Sequence, residues 1–174
     1  SYADAYTNRG IAKGILEDHE GAIVDFDKVI EINPKNAYAY SNRGIAKGIL
    51  EDHEGAIADY TKAIEFDPEY ADAYMYRGDS KVRLEDYEGA IVDFDKAIAI
   101  NPSDADAYHN RGVAKENLED YEGAIVDFDK AIAINPSYAL AYNNRGIAKR
   151  LLEDYEGAIA DFDKAIAINP SDAD

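Results

Sequence analysis

Three histidines, His19, His53 and His109, are the side chains here whose ordinary pKa suits proton transfer near neutral pH. A general acid–base or metal site would need each beside a nucleophile, a base or a second ligand. The sequence supplies none. His19 and His53 occupy turn positions where equivalent segments carry Tyr87, Tyr121 and Tyr155, so both read as aromatic packing substitutes. His109 has no base or nucleophile near it and reads as a surface histidine. Carboxylates recur as Asp-Phe-Asp, for instance Asp127 and Asp129. Two residues apart on a helix, they point about 200° apart around its axis and cannot share a metal. The Glu-Asp-Tyr-Glu segments could attract Ca²⁺ weakly, but they lack the ligand spacing of a calcium loop and read as solvated capping acids. With no cysteine there is no disulfide, thiolate site or cysteine nucleophile. Each glycine sits singly, so no glycine-rich phosphate loop forms. The expectation is a non-enzyme with no catalytic residue, metal or cofactor.

The elements that position these side chains follow from the prolines. Pro34, Pro68, Pro102, Pro136 and Pro170 are each 34 residues apart. Residues 8–23 and 42–57 are identical, as are 84–103 and 118–137. Such a period means stacked repeats with a core shared between neighbours. The units are 3–36, 37–70, 71–104, 105–138 and 139–172, one array across residues 1–174. In the fourth unit a first helix is predicted from Ala105 to Leu118, with Tyr108, Gly112, Ala114 and Leu118 on its packed side. Asp120 is a natural N-cap for a second helix from about Glu122 to Ile134. Its apolar stripe is Ala124, Ile125, Phe128, Ala131 and Ile132. Asn135-Pro136 ends it, because the residue before proline is pushed out of the helical region.

A 34-residue helix–turn–helix unit with small residues at Gly112, Ala124 and Ala131, aromatics at Tyr108, Tyr121 and Phe128, and a closing Pro136 resembles the tetratricopeptide repeat. The resemblance covers all five units. It implies an all-α fold, a right-handed α-solenoid of antiparallel helix pairs whose concave groove binds a protein or peptide. One departure recurs: Arg9, Arg43, Arg77, Arg111 and Arg145 stand where the family more often has leucine. A buried cation needs a partner. In an antiparallel hairpin Arg111 lies level with Asp127, so Arg9–Asp25, Arg43–Asp59, Arg77–Asp93, Arg111–Asp127 and Arg145–Asp161 are the expected ion pairs. The alternative is that the arginines lie along the surface on packed stems.

The net charge of −18 divides between two classes of position. Fixed columns hold 24 acids and 15 bases, and the varying positions hold 12 acids and 3 bases. Varying first-helix positions follow a spacing of 3, 4 and 3, which places them on one face. In the third unit they are Asp72, Met75, Asp79 and Val82, and in the fourth Asp106, His109, Val113 and Glu116. The fifth has Leu140, Asn143, Ile147 and Arg150. The third unit departs furthest, adding Tyr76, Ser80 and Arg83. By the resemblance this face lines the groove, and neutral drift is the alternative. Family members that clamp a chaperone's C-terminal carboxylate carry lysine, asparagine and arginine there. Thr7, Ile11, Ser41 and Ile45 replace the cations, so that activity is not expected.

The expected function is a protein–protein interaction scaffold for a basic or amphipathic peptide. Nucleic acid and anionic membrane surfaces are excluded by charge, and no apolar run is long enough to span a bilayer. The alternative is a structural or self-assembling module, natural or engineered, stacking head-to-tail. Ile159, Phe162 and Ile166 at one end and Tyr6 at the other would meet in that stack. The chain opens Ser1-Tyr2-Ala3 without Met, so native targeting is not read from it. Cytoplasm is the working expectation.

Overall fold

The computed structural model describes residues 2–170, and among them there are ten helices and no strand. In order they are α1 (Tyr2–Ile15), α2 (His19–Ile32), α3 (Ala37–Ile49), α4 (His53–Phe66) and α5 (Ala71–Arg83). The remaining five are α6 (Tyr87–Ile100), α7 (Ala105–Asn117), α8 (Tyr121–Ile134), α9 (Ala139–Leu151) and α10 (Tyr155–Ile168). The last two positions of the fifth unit, 171 and 172, lie outside the described residues. No described helix is long and apolar enough to cross a membrane.

Each first helix stops in the same way. Glu17, Glu51, Glu85, Glu119 and Glu153 all have φ between 61° and 65°. The next N–H then reaches back five residues to a lysine carbonyl, as from Asp120 to Lys115 at 2.9 Å. This closure satisfies a carbonyl the helix would leave bare, although the left-handed backbone costs a non-glycine residue about 1 kcal/mol. The following aspartate starts the second helix. Asp18, Asp52, Asp120 and Asp154 each accept a hydrogen bond from a glycine N–H three residues on, at 3.0 Å. A Cβ on those glycines would lie 2.0–2.2 Å from the other carboxylate oxygen, Oδ2, of the capping aspartate, so a larger residue there would have to displace the cap. Asp120 is therefore the N-cap that the sequence implied. Leu118 is not on the packed side as expected. It follows the helix as its C-cap and is exposed, because the left-handed turn at Glu119 carries it off the helical face.

The chain divides into two compact units, Ser1–Asp86 and Tyr87–Asp174. In the first, α1 packs on α2 and α3 on α4, while α2–α3 and α4–α5 contacts join successive repeats. In the second, α7 packs on α8 and α9 on α10, joined by α6–α7 and α8–α9. The core is shared as the period required. Ala124 and Phe128 of α8 cluster with Ala148 of the next repeat, with Val113, Tyr121 and Ile125 packed around them. Ala22, Phe26 and Ala46 repeat that arrangement in the first unit. Burying one such phenylalanine stabilises by roughly 1.5–3 kcal/mol, and neither helix of a repeat could cover it alone.

Candidate interaction face and the charge ladder behind it

The first helices are held from behind by charge. The four expected arginine–aspartate pairs whose members fall within one unit are formed. Arg111 donates from Nε and Nη2 to the two oxygens of Asp127, at 2.9 and 2.5 Å. Arg9–Asp25, Arg43–Asp59 and Arg145–Asp161 have the same two-bond geometry. These aspartates are buried. Each also receives the lysine four residues beyond the arginine: Lys13, Lys47, Lys115 and Lys149 lie 2.7–3.0 Å from Asp25, Asp59, Asp127 and Asp161. The i, i+4 spacing of arginine and lysine was visible in the sequence, and their shared carboxylate was not. The Arg9 hydrogen bond holds the Asp25 carboxyl below its usual value. Burial pushes Asp161 upward, but hydrogen bonds from Arg145 and Lys149 outweigh it, and the net shift is downward.

The second aspartate of each Asp-Phe-Asp pair was read only as unable to share a metal with the first. In three of the four it pairs with the following repeat. Arg43 Nη1 reaches Asp27, Arg111 Nη1 reaches Asp95 and Arg145 Nη1 reaches Asp129, at 2.5–2.6 Å. Pointing about 200° apart is what lets one such pair serve arginines of two repeats. Thr61 stands at this position in the second repeat, and there Arg77 takes the threonine hydroxyl at 3.1 Å. Each arginine also lies over the tyrosine three residues before it, 5.3–5.6 Å from the ring centroid.

Of the first-helix residues singled out in the first unit, Asp72, Tyr76 and Arg83 are exposed and Asp79 is half-buried; of those in the second, Asp106 and Arg150 are exposed and Glu116 and Asn143 are half-buried. Burial pushes the Glu116 carboxyl above its ordinary value. Two expected face residues are turned inward instead: Met75 is 8% exposed and His109 is 9% exposed. His109 is thus not a surface histidine. It faces the next repeat, whose Tyr138 and Asn144 cover it. The ring packs 5.0 Å from Tyr138 and 5.7 Å from Phe128. Nδ1 lies 3.0 Å from Asn110 Oδ1, and Nε2 lies 3.0 Å from Asn144 Nδ2. With the Asn144 amide donating to Nε2, the ring is neutral and donates from Nδ1. His19 and His53 are the first residues of α2 and α4, not turn residues.

Burial holds the His109 pKa below its ordinary value. The unfolded chain therefore binds a proton before the folded chain does, and stability falls as pH drops below about 6.5. His109→Asn installs the residue that the fifth repeat carries there. It should flatten the dependence of the urea midpoint on pH below about 6.5. An unaltered slope would assign the dependence elsewhere.

Tyr76, Asp79 and Arg83 converge on one cavity of about 320 Å³ within the first unit. Asp106 is instead tied to Tyr138, whose hydroxyl donates to it at 2.6 Å. No group of three or more metal-ligating side chains occurs among the described residues.

The sequence profile described as Tetratricopeptide repeat matches residues 3–36, 37–70, 105–138 and 139–172, and one described as TPR repeat matches 78–119. A search of curated proteins returned no significant match. Among solved structures, a crystal structure of MamA is 27% identical, with a TM-score of 0.87 over 94% of this chain and 96% of that one. YrrB, described as a TPR protein with an unusual peptide-binding site, is 26% identical, with a TM-score of 0.80 over 95% of this chain and 86% of that one. MamA 41-end from Desulfovibrio magneticus RS-1, at 22% identity and a TM-score of 0.90 over 99% and 97%, shares the fold. Repeat length, helix pairing and profile agree, and the chain belongs to the tetratricopeptide repeat family, in the all-α solenoid class.

Proposed function

We propose that this chain is a non-catalytic scaffold whose first-helix face docks a cationic or amphipathic peptide from a partner protein. Family membership supports the interaction role, and YrrB is a similar protein whose description includes a peptide-binding site. The observation that carries the cationic preference is the four-to-one acidic excess at positions the repeats vary, with Asp72 and Asp106 exposed on this face. An acidic surface attracts basic segments and sets the pairing more than it sets raw affinity. A labelled basic amphipathic peptide should bind, and its glutamate-substituted counterpart should not. Changing Asp72, Asp79, Asp106 and Glu116 to their amides should weaken the basic peptide by about tenfold, the equivalent of 1.4 kcal/mol. Equal binding by both proteins would remove this face from consideration.

A second reading, head-to-tail association of copies, rests on one specific observation. Arg43, Arg111 and Arg145 side chains are 16–18% exposed between two carboxylates, whereas Arg9 is 59% exposed with one carboxylate, Asp25, among the described residues. At α10, Asp163 occupies the position of Asp27, Asp95 and Asp129, with no ion-pair partner among the described residues. Ile159 and Ile166 beside it are exposed. A second copy placing Arg9 on Asp163 would repeat the inter-repeat contact, a heterologous join. Sedimentation of wild type against Arg9→Glu at high concentration tests it, since equal association by both would leave the join without support.

A further inference from the structure

The cavity of about 320 Å³ in the first unit lies where α3, α4 and α5 meet. Its floor and walls include Ile45, Tyr60, Tyr76, Asp79, Ser80 and Arg83. Three of these are the single exceptions in columns the other repeats hold constant, and a fourth breaks a column that is otherwise aliphatic. Tyr60 stands where the others have Phe26, Phe94, Phe128 and Phe162. Tyr76 replaces an asparagine kept at 8, 42, 110 and 144, and Ser80 replaces an alanine kept at 12, 46, 114 and 148. Asp79 puts a carboxylate in a column that is otherwise aliphatic: Ile11, Ile45, Val113 and Ile147. These exceptions come from two different repeats and two different helix types, yet they surround one space. Neutral drift gives no reason for that convergence.

The space is also built from what is left out. Gly48 sits at its edge, and a Cβ there would meet no atom closer than 3.9 Å, so its lack of a side chain is not forced by packing. Gly44 is different: its bare backbone admits the Tyr60 ring, which a Cβ would strike at 2.7 Å. Tyr60 is thereby held in place, 3% exposed, with its ring 5.9 Å from that of Tyr76.

The chemistry is that of a cation with an apolar stem. Aliphatic Ile45 and Ile49 and two tyrosine rings form walls that accept methylene groups, and aromatic faces attract an ammonium. Half-buried Asp79 supplies the negative charge of the lining, which also includes half-buried His53 and exposed Arg83. We propose that this cavity receives a lysine side chain of a bound peptide, the stem between Ile45 and the tyrosines and the ammonium against Asp79. This deepens the peptide-scaffold proposal and rests on it.

The test uses the whole chain and a defined probe, the capped pentapeptide Gly-Ser-Lys-Ser-Gly amide, with its Nε-acetyl-lysine and glutamate counterparts. Titration followed by amide and tyrosine ring NMR shifts should saturate at Tyr60, Tyr76 and Asp79 for the lysine peptide alone. The variant Tyr60→Phe/Tyr76→Asn/Asp79→Ile/Ser80→Ala carries only residues that other repeats already use, so it should fold, and circular dichroism checks this. It should lose at least tenfold in affinity, and Asp79→Asn alone should lose a large share of that. Equal binding of the acetylated peptide, or no saturable shift in wild type, overturns the assignment. Lysine-peptide binding unmoved by the four-residue variant overturns the cavity while leaving recognition elsewhere on the face intact.

Discussion

Arg111→Leu should destabilise the protein by about 3 kcal/mol, read as a lower urea midpoint and faster amide exchange in α7 and α8. The leucine would match the residue more usual in this family, so a packing argument alone predicts no loss or even a gain. The charge geometry predicts the opposite. Asp127 is 1% exposed and receives two hydrogen bonds from Arg111 and one ion pair from Lys115. Without the arginine, a buried carboxylate keeps only a lysine that is itself partly solvated. Asp95 would also lose its partner, but it is exposed and water replaces the guanidinium at little cost. The double variant Arg111→Leu/Asp127→Leu removes both charges and should recover most of the loss, since a buried pair is often replaceable by apolar groups of similar size. Unchanged or raised stability in the single variant would reduce the arginine column to packed stems. The same bonds predict an acid limb. Because the Asp25 and Asp161 carboxyls sit below their ordinary value, their stabilisation is complete above the unfolded pKa of about 3.9 and fades as pH falls through the lower folded values.

The second large effect is a reversal of sign at Gly112. Alanine is the better helix former by roughly 1 kcal/mol, so Gly112→Ala on an open helix would stabilise. Here a Cβ would sit 2.7 Å from a ring carbon of Phe128, which is fully buried. Overpacking of that kind costs about 1–3 kcal/mol and should outweigh the helix gain. Phe128→Ala alone should cost about 3–5 kcal/mol through the lost burial and the cavity left behind. In that background Gly112→Ala meets empty space and should stabilise. The four-protein cycle therefore carries a large coupling between the two positions. Additive effects, or destabilisation by the alanine in both backgrounds, would show that the glycine serves something other than the ring.

The 34-residue period settled the helix pairing, the aspartate caps, the proline stops and the shared core before any coordinates. That is because each depends on neighbours a few residues away or on an exact copy of itself. The arginine–aspartate pairs were legible for the same reason, as equal heights in a hairpin of known turn. What lay across repeat boundaries was not legible. Asp95 and Arg111 are fixed columns in one sequence pattern, but only stacking reveals that they belong to each other. His109 shares a helical face with Asp106 by spacing, yet the adjacent repeat buries the histidine and leaves the aspartate exposed. The third repeat announced itself as the divergent one. That its exceptions face Tyr60 of the second, around one cavity, depended on how two helix pairs meet. Local rules and repetition determine the elements, and the angle and distance between stacked elements decide which side chains become a site.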